Sequence, residues 1–406
     1  MAVSLLANEV SDLCIGKPAV RSLPLSAAAG DLAAALRRGP PQGGAAASSV
    51  AVVAGPPSAR AVAGRLGLAD VLCFLCAAPG ALAHPAAALS TPVSSLLPKD
   101  GAGEARRVDP RASVLDALDA VLSGAQVLAV PLRSGGRKKQ LAGGGGGVGV
   151  AGGDFCWLTQ EDLVRYFLNS ISIFSHVAGR SVSSLGLIRG AADADADACG
   201  LLTVRPHEAA MSAVPLLRRA IATETAVAVV DDDGHLVGEL SPALLASCHD
   251  EAAAATAAAA VATLSVADLM SYIDYCGGSP PEHIVRAIKA GLKSKGLDAM
   301  LELVENETAS SFSFSSSSSS ASSSDDEAHG RAAQRLRRRP SSGSYGRRST
   351  EEPVVCSPAS SLVAVMMQAL AHRASYLWVL DEDDDCRLAG IVTFADVLRV
   401  FREQLQ

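Results

Sequence analysis

Gly390-Ile391-Val392-Thr393-Phe394-Ala395-Asp396 decides the reading of this chain. Two β-branched residues run into a hydroxyl at Thr393, and a carboxylate follows three residues later at Asp396. β-Branched residues suit a pleated strand, and Thr followed at the third position by an acid is a helix-start pattern. The segment therefore reads as a strand that turns directly into a helix. Upstream, Leu362 to His372 reads as a helix with Ser361 at a plausible N-cap. Leu377 to Leu380 is a short apolar run suited to a strand covered on both faces. The acidic run Asp381 to Asp385 between the two strands suits a tight turn.

The same order of helix, strand, turn, strand and helix occurs three more times. The corresponding closing segments are Gly64-Arg65-Leu66-Gly67-Leu68-Ala69-Asp70, Trp157-Leu158-Thr159-Gln160-Glu161-Asp162 and Gly238-Glu239-Leu240-Ser241-Pro242-Ala243-Leu244. Helices are expected over Ala27 to Arg37, Val114 to Leu122 and Glu208 to Ile221, with Ser113 an N-cap and Pro215 kinking or delaying the third. Buried strands are expected over Val50 to Val53, Val127 to Leu132 and Ala226 to Val230. Each unit also has an opener: Val10-Ser11-Asp12-Leu13, Val93-Ser94-Ser95-Leu96, Val182-Ser183-Ser184-Leu185 and Val266-Ala267-Asp268-Leu269. Nearly even spacing of such openers means that one supersecondary unit has been copied and stacked.

Inserts obscure the repeat. Residues 133–153, centred on Gly143 to Gly147, read as a flexible loop in unit two. Asp193 to Asp197 reads as a solvated loop. From about Thr308 to Glu352 a serine tract, an acidic patch and an arginine-serine stretch follow one another. That composition buries too little apolar surface to offset the entropy of ordering, so disorder is expected.

Composition bounds the function. The chain has 406 residues and a formal net charge of −7, which argues against a general nucleic-acid binder, because such a protein needs a basic face. Its nine cysteines are an odd number with no secretory signal, which fits reduced thiols in the cytoplasm, with the nucleus an open alternative. The longest apolar run, Ala252 to Leu264, is broken by Thr256 and Thr263 and is too short to span a bilayer. Glu9 and Asp12 leave little room for a basic transit peptide. No Ser-His-Asp, metal or phosphate-loop constellation is visible. Cys73-Phe74-Leu75-Cys76 is a lone CxxC, better read as core packing than as a zinc or redox site. A non-enzymatic protein is expected.

A closer of Gly, two hydrophobics and Thr/Ser-x-x-Asp resembles the CBS motif. The preceding hydrophobic-x-Pro segments, Val108-Asp109-Pro110, Val204-Arg205-Pro206 and Cys356-Ser357-Pro358, match as well. The chain is similar to the plant four-repeat CBS-domain proteins. The resemblance covers most of the chain outside the inserts, with unit four the strongest match. It implies an α/β (α+β) fold of four CBS motifs arranged as two pseudo-symmetric CBS-pair modules. Residues 1–175 would form the first, with units at about 10–77 and 92–170. Residues 176–406 would form the second, with units at about 180–247 and 264–406 and the insert at 308–352.

In that family the clefts can bind adenosine nucleotides. The resemblance makes Asp162 and Asp396 the ribose acceptors, Thr159 and Thr393 their hydroxyl partners, and the backbone near Val108, Pro110, Cys356 and Pro358 the adenine contacts. Unit one keeps Asp70 but has Gly67 at the hydroxyl position. Unit three keeps Ser241 but has Leu244 at the carboxylate position. Both of those sites are degenerate. The chemistry is plain: a carboxylate can accept both ribose hydroxyls, and a helix N-terminus favours a phosphate. The same Thr-x-x-Asp is also a capping box, which needs no ligand.

The expected function is regulatory: AMP, ADP, ATP or S-adenosylmethionine binds and alters a protein partner. The resemblance offers a kinase, for which the chain would be a γ-like regulatory subunit, or a thioredoxin-like target. A scaffold that binds no ligand is the alternative. Monomer and homodimer both stay open. Ser341, Ser342 and Ser349 follow arginines and are candidate acceptors for a basophilic kinase.

Overall fold

The computed structural model describes residues 8–37, 49–55, 61–98, 105–132, 154–190, 201–246, 251–275, 280–315, 349–381 and 385–405. The Gly-rich segment 133–153, Asp193 to Asp197, Ser341 and Ser342 lie outside them.

Four three-stranded sheets of one design make up the frame. They are β1 (Ser22–Pro24), β2 (Ser49–Ala54) and β3 (Ala61–Gly67); β4 (Ala105–Arg107), β5 (Val127–Pro131) and β6 (Phe155–Thr159); β7 (Thr203–Val204), β8 (Val227–Val230) and β9 (Leu236–Leu240); and β10 (Val355–Cys356), β11 (Tyr376–Asp381) and β12 (Arg387–Thr393). In each sheet the short first strand runs parallel to the central strand and the third runs antiparallel to it. A helix connects the first two strands: Ala29–Arg37, Val114–Leu122, Val214–Thr223 and Leu362–His372. Ser113 and Ser361 are its N-caps in units two and four, accepting the amides of Asp116 and Ala364. In unit three a 3-10 turn at Ala210–Ala213 comes first and Pro215 sits in the first helical turn, where its missing N–H does no harm.

Sheets one and two share an apolar layer of Ala51, Val53, Val127, Ala129, Phe155 and Trp157. Sheets three and four share another, of Ala226, Ala228, Tyr376, Trp378 and Ile391. Helices join the units the other way. Those of units one and three bury Val71, Leu75, Leu217 and Ala220 together. Those of units two and four meet at Phe167 and Phe401, stacked at 4.6 Å, with Phe174 edge-on to both. The units therefore close a ring in the order one, two, four, three.

Each opener packs in a unit other than the one that follows it. The Val10 N–H donates to Ala112 O and the Val114 N–H to Asn8 O, placing opener one on unit two. The Val93 N–H donates to Ala27 O, placing opener two on unit one. Openers three and four exchange in the same way, through Val182 N–H to Ser360 O and Val266 N–H to Glu208 O. Sequence order puts each opener at the head of its own unit, whereas the folded chain trades it with its neighbour.

Unit three ends in a closing helix of only five residues, Pro242–Ala246. The alanine-rich helix Glu251–Thr263 packs instead against Leu68–Ala77, with helices Glu282–Ser294 and Asp298–Ser315 on its other sides. Gly291 makes one crossing close, since a Cβ there would lie 2.6 Å from that of Thr263. The expected disorder from Thr308 onward is corrected in part, because the last of these helices continues to Ser315. Among the described residues no helix is long and apolar enough to cross a membrane.

Candidate functional site

The four closing segments form caps at the strand–helix junctions. Thr159 Oγ1 accepts the Asp162 N–H at 3.4 Å and donates to Asp162 Oδ2 at 2.8 Å. Thr393 Oγ1 does the same with Asp396, at 3.3 and 2.6 Å. The capping box allowed by the sequence is thus formed at both. One carboxylate oxygen and the hydroxyl are engaged within the box.

Cations from the exchanged openers occupy the same carboxylates. Arg189 Nε donates to Asp396 Oδ1 at 2.7 Å, its Nη2 reaches the same oxygen, and Arg399 Nη1 adds a bond at 2.9 Å. Asp396 is 1% exposed. In unit two Lys17 Nζ reaches Asp162 Oδ2 and donates to Trp157 O at 2.9 Å. Lys17 and Arg189 each lie four residues past an opener leucine, Leu13 and Leu185. The sequence reading missed both, and this shared spacing was the signal that could have found them. Asp162 Oδ1 keeps no hydrogen bond among the described residues, so unit two has an acceptor to spare and unit four does not.

The degenerate closers differ from these. Asp70 Oδ2 accepts the Gly67 N–H at 2.7 Å, and Oδ1 has no hydrogen bond among the described residues. Ser241 accepts the Ala243 N–H at 3.3 Å and Leu244 is buried. Two residues before Ser241, fully buried Glu239 accepts the Tyr376 hydroxyl at 2.9 Å and the Trp378 indole N–H at 2.7 Å. That carboxylate bridges the apolar layer between sheets three and four.

A central cavity of about 1260 Å³ lies where the units meet. Its wall includes Gly67 and Asp70 of unit one, Thr159 and Asp162 of unit two, Ser241 of unit three and Phe394 of unit four. Arg21, Arg65, Arg165, Arg218, Arg219 and Arg373 line it too, so helix N-termini and guanidinium groups share one space. A smaller cleft of about 190 Å³ is lined by Arg189, Trp378, Thr393 and Arg399. Arg65 ties the centre together: it pairs with Glu224 at 3.1 Å and donates to Gln126 Oε1 at 3.1 Å. Gln126 in turn donates to Ile221 O at 2.8 Å, and Ser375 Oγ donates to Glu224 O.

Burial raises the Asp70 carboxyl above its ordinary 3.8, opposed by the Gly67 amide and Arg65. Burial raises Glu224 above its ordinary 4.5, opposed by Arg65. A raised carboxyl binds its proton more tightly folded than unfolded. Each therefore contributes stability that is present in acid and lost as pH climbs from the ordinary value through the raised one. Asp70→Asn and Glu224→Gln should each flatten the fall in stability across that window, measured as urea midpoints from pH about 4 to about 7. Slopes identical to the parent's in both variants would refute the assignment.

The other sequence candidates lie elsewhere. The Pro110 carbonyl accepts the Ser11 N–H at 2.8 Å and the Pro358 carbonyl accepts the Ser183 N–H at 3.1 Å. Val108 donates to Ala129 O, and Cys356 sits in β10 opposite Val379. None of the four lines either cavity. Cys73 and Cys76 are buried core residues, and burial pushes the Cys76 thiol up to about 12. Ser349 Oγ donates to Asp274 Oδ2 at 2.7 Å.

Three comparisons bear on this architecture. The family profile of the CBS domain matches residues 347–403. The chain is 38% identical over 420 residues to the CBS domain-containing protein CBSX5 of Arabidopsis thaliana, covering 100% of this chain and 99% of that one. It is 24% identical over 358 residues to CBSX6 of the same plant, covering 78% and 74%. In fold it is similar to MJ1225 of Methanocaldococcus jannaschii, described as a putative archaeal homolog of g-AMPK. The TM-score is 0.54 at 12% identity, covering 97% of this chain and 100% of that one.

Proposed function

The chain belongs to the CBS domain-containing protein family, and on that premise we propose that it is a non-catalytic regulatory protein whose central cavity binds an adenosine nucleotide. Units one and two would act as one module, residues 1–175, and units three and four as the other, residues 176–406. The supporting observation is the cavity itself, which brings two carboxylates with unengaged oxygens, Asp70 and Asp162, into one space with six arginines. A ribose needs an acceptor for adjacent hydroxyls, and a phosphate needs guanidinium donors or helix N-termini. Asp162 with Thr159, and Asp70, are the residues we assign to the ribose. Asp396 with Thr393 binds only if Arg189 swings away. Because the cavity touches all four units, a ligand that favours one arrangement of them would change the surface a partner protein meets.

A ligandless scaffold is the second reading, favoured by Glu239 and Arg189 filling the clefts of units three and four. Thermal-shift titration with AMP, ADP, ATP and S-adenosylmethionine separates the two. A ligand at one hundred times its Kd stabilises the native state by about 2.7 kcal/mol. A shift in the parent, reduced in Asp162→Ala or Asp70→Ala, is the expected outcome. No shift with any of the four, in a chain that melts cooperatively, leaves the scaffold.

A further inference from the structure

The glycine three residues before each cap explains how the exchanged openers seat themselves. A Cβ on Gly64 would fall 2.6 Å from the Leu97 side chain, and one on Gly238 would fall 2.1 Å from Met270. Leu97 and Met270 each directly follow their opener leucine, Leu96 and Leu269. A large side chain from the opener thus lies on a bare Cα in the closer. At Gly390 the residue after the opener leucine is Gly186, and the backbone of Arg189 fills the space, its carbonyl oxygen 2.5 Å from where a Cβ would stand.

Unit two breaks this pattern on both sides. The closer position holds Cys156, and the residue after its opener leucine is Cys14. The two side chains lie in one core cluster, close enough for their thiols to interact. Both are buried, Cys14 at 8% and Cys156 at 0% exposure, in the same core cluster. The exchanged segment runs alongside β6 at this point. The Val20 N–H donates to Phe155 O at 2.7 Å and Lys17 Nζ to Trp157 O at 2.9 Å, on either side of Cys156.

We propose that Cys14 and Cys156 are a reversible disulfide site, closed by hydrogen peroxide, that fastens the exchanged opener to unit two. One sulfur attacks a peroxide oxygen, the O–O bond breaks, and a first water leaves a sulfenic acid. The second sulfur attacks that sulfur, the S–O bond breaks, and a second water leaves with the remaining thiol proton. Two thiols lose two electrons and the peroxide becomes two waters. The neighbouring Cys14 thiol and Lys17 lower the Cys156 thiol, which favours it as the attacking sulfur. The helical pair Cys73 and Cys76 lacks both advantages, because burial pushes both thiols up.

The bond would also fix Lys17. Its N–H donates to Cys14 O at 3.1 Å, and its ammonium sits on Asp162. Oxidation would hold that cation over the carboxylate, and reduction would let the segment lift. The cross-link itself does not depend on the nucleotide reading.

The test uses the full chain under reducing conditions, then stoichiometric hydrogen peroxide, alkylation and peptide mass mapping. The expected result is one linked peptide pair joining Cys14 and Cys156, opened by dithiothreitol. Amide exchange over residues 14–20 should slow in the oxidised protein, and its melting point should rise by several degrees. Cys14 and Cys156 both still alkylated when exposed Cys386 has been oxidised would overturn the proposal. Either one found linked to another cysteine would overturn it as well.

Discussion

Arg189→Ala is expected to lower the stability of the protein by about 3–5 kcal/mol, the range for removing one partner of a buried ion pair. The asymmetry of the pair sets the size. Asp396 is almost wholly buried, whereas the side chain of Arg189 is 27% exposed and that of Arg399 is 52% exposed. Removing the arginine therefore leaves a charge in a poor solvent, whereas removing the carboxylate frees cations that can reach water. The capping box still holds Asp396 Oδ2, so the loss falls on Oδ1. Adding Asp396→Asn to Arg189→Ala should return much of the lost stability, since the buried charge is gone. Denaturant unfolding of the two single variants and the double variant measures the coupling. A loss below about 1 kcal/mol for Arg189→Ala, the level of an exposed pair, would mean that Arg399 alone satisfies the carboxylate. The variant has a second consequence. It clears the Arg189 side chain from the smaller cleft and leaves Asp396 Oδ1 to Arg399 alone, so adenosine nucleotides should stabilise Arg189→Ala more than they stabilise the parent.

Glu239→Ala should cost a comparable amount, about 3–5 kcal/mol. It strands two buried donors, the Tyr376 hydroxyl and the Trp378 indole, each at about 1–3 kcal/mol, and it opens a void between two sheets. Glu239→Gln keeps the shape and one acceptor oxygen, so its cost should be well under half as large. The chain has two tryptophans, and Trp157 lies in the other sheet pair. A change in tryptophan emission in Glu239→Ala that is absent in Glu239→Gln would report Trp378. Equal stability of the two variants would show that neither the hydrogen bonds nor the space filled by residue 239 holds this layer.

Much of this fold can be read in the sequence because its signals are local. The helix Leu362–His372 and the helix Val114–Leu122 have the bounds that periodicity and their serine caps imply. The closers are legible for the same reason, as a β-branched run meeting a cap. Other elements carry no local signal. The leading strands are two or three residues long, too short for any alternation to appear. Glu251–Thr263 is alanine on every side, as suits a helix enclosed by others, so it has no apolar stripe to betray it. Nor does sequence order reveal that openers trade places, since the same leucine fills either unit equally well. The candidate site was legible as residue types and not as occupancy. Thr-x-x-Asp fixes the cap, but only the folded chain shows which cation reaches each carboxylate, because Lys17 and Arg189 are far from Asp162 and Asp396 along the chain.

The trading of openers has a consequence for descent. A single unit copied alone would carry an opener that belongs to its neighbour and would lack the one that completes its own core. Such a duplicate could not bury its apolar face. The smallest part of this architecture that can be inherited, moved between genes or lengthened by duplication is therefore the interlocked pair. Lineages that extend it must grow by twos, while the cap positions can differ from one unit to the next, as Gly67 and Ser241 do from Thr159 and Thr393.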